Sequence, residues 1–92
     1  MTRIVIKQLV WDDYNKKHIG KHNVTVEEIE KVSKNVIVHK RAKKGRFLIT
    51  GRVEKRLISA VLNRKEAGIY YPITARDAAK KERRSVYEKE KI

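Results

Sequence analysis

The sequence predicts a small α+β domain with a largely antiparallel sheet of about five strands, its elements in the order βααββββα. Three observations lead there. A chain of 92 residues supplies apolar side chains for one core and too few for two. Apolar stretches bounded by turn signals recur from Val36 to Thr74, as strands of one sheet require. Two threonine-led capping patterns, Thr25-Val26-Glu27-Glu28 and Thr74-Ala75-Arg76-Asp77, sit on either side of that stretch and mark helix starts.

The first strand is read over Arg3–Val10, where Ile4 and Ile6 alternate with Val5 before Leu9-Val10. Asp12 then caps a short helix through His18, and Gly20 stops it. A second helix runs from Val26 to Lys34 and buries Ile29 and Val32, with Val24 and Ile29 at the staple positions that flank its cap. Strands follow over Val36–Lys40, Arg46–Val53 and Arg56–Asn63. Ala42-Lys43-Lys44-Gly45 and a tight Glu54-Lys55 connection separate them, giving an antiparallel meander. Gly68–Thr74 is the last strand, and Pro72 puts it at an edge or in a bulge because proline donates nothing to a ladder. The final helix opens at Thr74-Ala75-Arg76-Asp77 and runs to about Tyr87, leaving 88–92 as a frayed tail of a single domain spanning 1–92.

With no cysteine, no disulfide or thiolate zinc site holds this fold, and a cytoplasmic setting is expected. Residues 1–10 lack the apolar segment of a signal peptide, and no run approaches the length of a membrane span. The net charge of +13 points to polyanionic partners. More than half of the excess falls in residues 39–56, which hold eight basic side chains and one acidic. Lys43, Lys44, Arg46 and Arg52 are the expected phosphate contacts of this patch, the plainer alternative being a lysine-rich solubilising hairpin.

Ala75, Ala79, Glu82 and Val86 share one face of the expected last helix, so a carboxylate interrupts an apolar stripe. It is either half of a structural ion pair with an arginine or an active-site base or orienting group.

Trp11-Asp12, Asn15, the His18–His22 stretch, Glu27-Glu28, Gly51-Arg52, Thr74-Ala75-Arg76, and Glu82-Arg83-Arg84 followed by Tyr87 together resemble the BrnT toxin family over about residues 5–87. The departures are Asn23 where glycine is usual, Thr74 in place of serine, and Tyr87 one position late; asparagine tolerates the left-handed turn that the glycine serves. The resemblance implies a RelE/ParE-type toxin fold, RNA cleavage without a metal or other cofactor, and an acidic BrnA-like antitoxin as partner, with DNA reached only through that antitoxin.

Cleavage of this kind is in-line attack by a ribose 2′-hydroxyl, which needs a base, a cation for the phosphate and an acid for the leaving oxygen. Arg76 and Arg83 are the expected phosphate clamps, since guanidinium pairs bidentately with phosphate, and Arg76 would gain from the free amides of a helix first turn. Glu82 orients them or acts as the base. His22 is the expected proton carrier, with His18, Lys21, Thr74 and Tyr87 in support and Arg84 on the RNA. His18 has a packing role against Trp11 or Tyr14 as its alternative. The pair is not read as a zinc site, for there is no HExxH motif and the remaining histidine is His39. Tyr70, Tyr71 and Phe47 are either core or base-stacking residues. The competing functional class is a non-catalytic basic module that binds nucleic acid or protein; gyrase inhibition ranks last.

Overall fold

A computed structural model describes residues 4–91. Its first helix, α1 (Asp13–Gly20), starts at a reciprocal cap in which the Asp12 carboxylate accepts the Asn15 N–H and the Asn15 Oδ1 accepts the Asp12 N–H, both at 2.9 Å. Asn15 is fully buried. Its amide also donates to the carbonyls of Val10 at 3.0 Å and Pro72 at 3.1 Å, so one side chain joins α1 to the sheet through backbone acceptors.

The expected capping box at Thr25 forms. Thr25 Oγ1 accepts the Glu28 N–H and the Glu28 carboxylate accepts the Thr25 N–H, opening α2 (Val26–Lys34). Between these helices Asn23 takes φ 58, the left-handed turn anticipated for it.

The sheet follows as β2 (Val36–Arg41), β3 (Arg46–Val53), β4 (Arg56–Glu66) and β5 (Ile69–Asp77), with α3 (Lys80–Glu90) after it. Together with β1 (Gln8–Leu9) the strand order is β1-β5-β4-β3-β2. β1 pairs parallel to β5, and the other neighbours are antiparallel. A short 3-10 turn over Lys43–Gly45 makes the β2–β3 tip. The register shift between Val61 and Leu62 falls opposite Pro72–Thr74, which is the bulge that proline called for.

Helices α1 and α2 cover one sheet face. Ile19, Val24, Ile29 and Val32 pack there on Ile49, Ile58, Ala60, Leu62 and Ala75. A Cβ on Gly51 would meet Val32 Cγ1 at 3.0 Å and the Asn35 carbonyl at 3.1 Å, so glycine lets α2 lie directly on β3. The opposite face carries α3 on a smaller apolar cluster of Leu57, Ala78 and Val86.

Two expectations are corrected. Among the described residues the first strand is paired only at Gln8–Leu9, while Ile4 and Ile6 pack against the core without joining the ladder; Arg3, its expected start, lies outside the described residues. The last helix begins at Lys80 rather than at Ala75, because residues 74–77 extend β5 against β4, with Ser59 opposite Arg76 and Ile58 opposite Asp77. Sheet pairing here overrides a local cap signal. At its other end α3 passes Tyr87 and continues to Glu90.

Replacing Asn15 by alanine leaves the Val10 and Pro72 carbonyls without the amide, and should lower the unfolding free energy by about 2 kcal/mol. Urea denaturation would measure this, and a loss within error of zero would contradict the bridging role.

Candidate functional site

The face of β4 and β5 under α3 carries a connected polar network. Ser59, on β4, lies beside Arg76 on β5 and Thr50 on β3, so their side chains emerge on one side of the sheet. Glu82, in the first turn of α3, comes down on them. Its carboxylate accepts a bidentate pair from Arg76, Nη1 at 2.8 Å and Nη2 at 3.0 Å. It also accepts the Ser59 hydroxyl at 2.8 Å and the Ala79 N–H at 2.8 Å. Since Ser59 spends its only proton on Glu82, the 2.7 Å contact between Thr50 and Ser59 has Thr50 as donor.

The two members of the ion pair sit in different environments: the Glu82 side chain is 10% exposed and that of Arg76 46%. The Arg76 hydrogen bonds lower the Glu82 carboxyl to about 2 against the opposing effect of burial, with help from Ala79 and Ser59. Such a group is ionised and saturated with donors, which suits it to orienting and not to taking a proton at neutral pH. Arg76 gives its remaining observed bond to the Asp77 carbonyl at 3.1 Å. Among the described residues its Nε–H and one Nη2 hydrogen have no hydrogen-bond partner, which leaves them to an anion.

Arg76 therefore acts from a strand and not from a helix N-terminus, and its expected support by free helical amides is absent. Thr74, two residues earlier on β5 and opposite Val61, shares the Arg76 face and caps no helix. Arg83, Arg84 and Tyr87 project from α3 as exposed side chains. Arg83 lies seven residues before Glu90 on one helix face, and Glu90 binds Arg52 at 2.7 Å. No contact among the described residues joins Arg83 to Arg76.

The basic segment 39–56 divides on folding. Lys43, Lys44 and Arg46 are exposed at the β2–β3 tip. Arg46 lies opposite Asn63, four strand positions or roughly 13 Å from the Ser59–Arg76 level. Arg52 is held by Glu90. Arg56, which the charge count groups with the patch, is a structural clamp: it pairs with Asp77 and Glu28 and donates to the Asn23 carbonyl at 2.7 Å. Its partners come from both sides of the chain, and no sequence spacing announces them.

His18 and His22 form a second group, on the α1 side. The His18 ring stacks on Tyr14 with centroids 6.2 Å apart and planes at 14°, and meets His22 edge-on at 5.9 Å. His22 lies just past the helix, whose path continues through Lys21 in αR geometry. Among the described residues no hydrogen bond or ring contact joins the histidines to Arg76 or Glu82. Phe47 and Tyr70 meet edge-on at 5.8 Å beside the core. Tyr71 instead donates to the Asp12 carboxylate at 2.9 Å, with Lys65 over its ring. Two surface grooves run along Ile4–Ile6 and β2, and Arg76 lines neither. Among the described residues no three His, Cys, Asp or Glu side chains cluster as metal ligands would.

Because the folded chain holds Glu82 near 2 and the ordinary glutamate value is 4.5, its stabilising effect is complete above about pH 5 and is lost as pH falls towards 2. The expected contribution is on the order of 2 kcal/mol, reduced from the full shift because Arg76 is partly solvated. Urea midpoints measured from pH 6 to 2 should fall more gently for Glu82→Gln than for the parent. Parallel curves would show that the carboxylate is not the acid-sensitive group.

No protein-family model and no curated protein matches this sequence. Among solved structures, the chain is similar to the Brucella abortus ribonuclease toxin BrnT, with a TM-score of 0.62 at 15% identity over 79% of this chain and 97% of that one. The likeness that the Trp11–Asp12 and Thr74–Arg76 motifs suggested is thus met at the level of three-dimensional structure, and the chain has the α+β fold of that toxin.

Proposed function

We propose that this protein is a metal-independent endoribonuclease toxin, neutralised in the cytoplasm by an acidic BrnA-like antitoxin. The observation that carries the reading is the Arg76–Glu82 pair: a half-exposed guanidinium, fixed in orientation by a buried carboxylate, with donors left over. A fixed cation of this kind stabilises the charge that develops on phosphate when a 2′-hydroxyl attacks in line. The fold shared with a ribonuclease toxin supports the same class of reaction.

In this mechanism Arg76 holds the pentavalent phosphate, Glu82 positions Arg76, and Thr74 offers a hydroxyl on the same face. His22, supported by His18 and Lys21, carries protons. Lys43, Lys44 and Arg46 hold the RNA away from the reacting phosphate, and Arg83, Arg84 and Tyr87 extend that contact along α3. Arg52 joins them when its pairing with Glu90 opens.

One observation favours the alternative of a non-catalytic binding module: the histidines and the Arg76–Glu82 pair are not in contact. Incubation with a defined single-stranded RNA in EDTA separates the two readings. The parent should produce 2′,3′-cyclic phosphate ends, and Arg76→Ala should lower the rate by about a hundredfold or more. No cleavage by the folded parent, with or without ribosomes, would leave the binding module. The antitoxin is expected to associate more slowly as salt rises, since opposite charges steer the encounter; stopped-flow rates independent of salt would exclude an acidic docking segment.

A further inference from the structure

The outward face of α1 has a composition that the fold does not use. Tyr14, Lys17, His18, Lys21 and His22 stand at i, i+3, i+4, i+7 and i+8, one stripe of a helical path. It holds three rings and two lysines and no carboxylate. Asn15 and Ile19 are the buried residues of this helix, so the stripe has no part in the core, and Tyr14 is 72% exposed. The rings nonetheless form a continuous ladder, with Tyr14 stacked on His18 and His18 in edge contact with His22.

The ladder is anchored at both ends to β5. At its start Asp12, the cap of α1, accepts the hydroxyl of Tyr71, whose ring lies under Lys65. At its finish the carbonyl of Asn23, next to His22, accepts Arg56, which pairs with Asp77. Asp77 follows Arg76. The stripe therefore runs along the β5 margin on the α1–α2 side and ends level with Arg76, whose guanidinium lies on the opposite face of the strand.

We infer that the Tyr14–His18 stack at the start of this stripe is a platform for unpaired RNA bases, a stacking track on which Lys17 follows the phosphates and the strand is led past His22 and around the β5 edge to the face that carries Arg76. Single-stranded nucleic acid is bound in this way, by rings that take successive bases and cations that take the backbone. The inference rests on the RNA-directed reading above and adds a substrate class, single-stranded and not duplex, and a set of contacts remote from the phosphate clamp. Tyr14 acts by stacking and touches no reacting atom. The acidic groups at the helix start leave the rings clear: Asp12 is engaged by Tyr71 and the Asn15 N–H, and Asp13 borders the stripe only at Lys17, one turn on.

The test uses the full chain and a fluorescein-labelled, uncleavable 2′-O-methyl oligonucleotide, read by anisotropy. Tyr14→Ala should weaken binding by about tenfold, and Tyr14→Trp should restore it. With an abasic oligonucleotide of equal length the parent and Tyr14→Ala should bind alike, because only the lost stacking separates them. In cleavage assays Tyr14→Ala should raise KM with kcat little changed, and Arg76→Ala the reverse. Unchanged affinity in a Tyr14→Ala protein of parental circular dichroism and Tm would overturn the inference. An equal loss on the abasic strand would also overturn it, as would a variant that binds RNA normally but releases a protein partner. Tyr14-dependent binding by a parent that cleaves nothing would keep the track and sink the ribonuclease reading, so the two fail separately.

Discussion

The attachment of α3 to the sheet depends on a buried charge. Between Lys80 and Glu90 this helix offers Val86 as its only aliphatic side chain, and the apolar cluster beneath it is small. Val86 alone gives too little buried area to hold an eleven-residue helix of such polarity. Glu82 supplies the rest by entering the interface as an anion and finding four donors there, two from Arg76 and one each from Ser59 and Ala79. A buried pair is a weak source of net stability, but removing one member leaves the other desolvated and unpaired. The same contact thus sets where α3 lies and where Arg76 points, and neither can change without the other.

Much of the architecture is legible in the sequence, and what is not has definite physical causes. The caps at Asp12 and Thr25 are local chemistry, so a few adjacent residues specify them. The hairpins at Ala42–Gly45 and Glu54-Lys55 are equally local. Pro72 announces its bulge because its missing N–H is a property of the residue itself. The start of α3 is different. Thr74-Ala75-Arg76-Asp77 has the composition of a cap, but its backbone groups meet β4 over Ile58–Val61, inside the strand that the apolar pattern already marks. The error lies in competition between a nearby signal and a distant partner, and only the assembled sheet decides it.

The candidate site shows the same division. Glu82 stands out from its stripe, and its need for an arginine is visible from spacing alone, though the partner belongs to a strand and not to the same helix. The basic run is less informative than its density implies. Charge counting treats Lys43 and Arg56 alike, yet one is exposed at a turn and the other ties α2, β4 and β5 together through Glu28, Asn23 and Asp77. Tyr14 enters the sequence reading only as a packing partner for His18, and its stripe becomes meaningful once Lys21 is seen to continue the helical path to His22.

The parallel contact of β1 with β5 has a consequence for how the fold opens. Pairing Gln8 with Ile69 closes a loop of about sixty residues, whereas the meander from β2 to β5 is built from neighbours in sequence. A ladder two residues wide offers little to offset the ordering of the segment that forms it. The N-terminal segment is consequently a weakly held unit, able to detach while the meander and its helices stay folded. Asn15 limits that detachment from the other side, since its amide holds Val10 to Pro72 and fixes the point at which peeling stops.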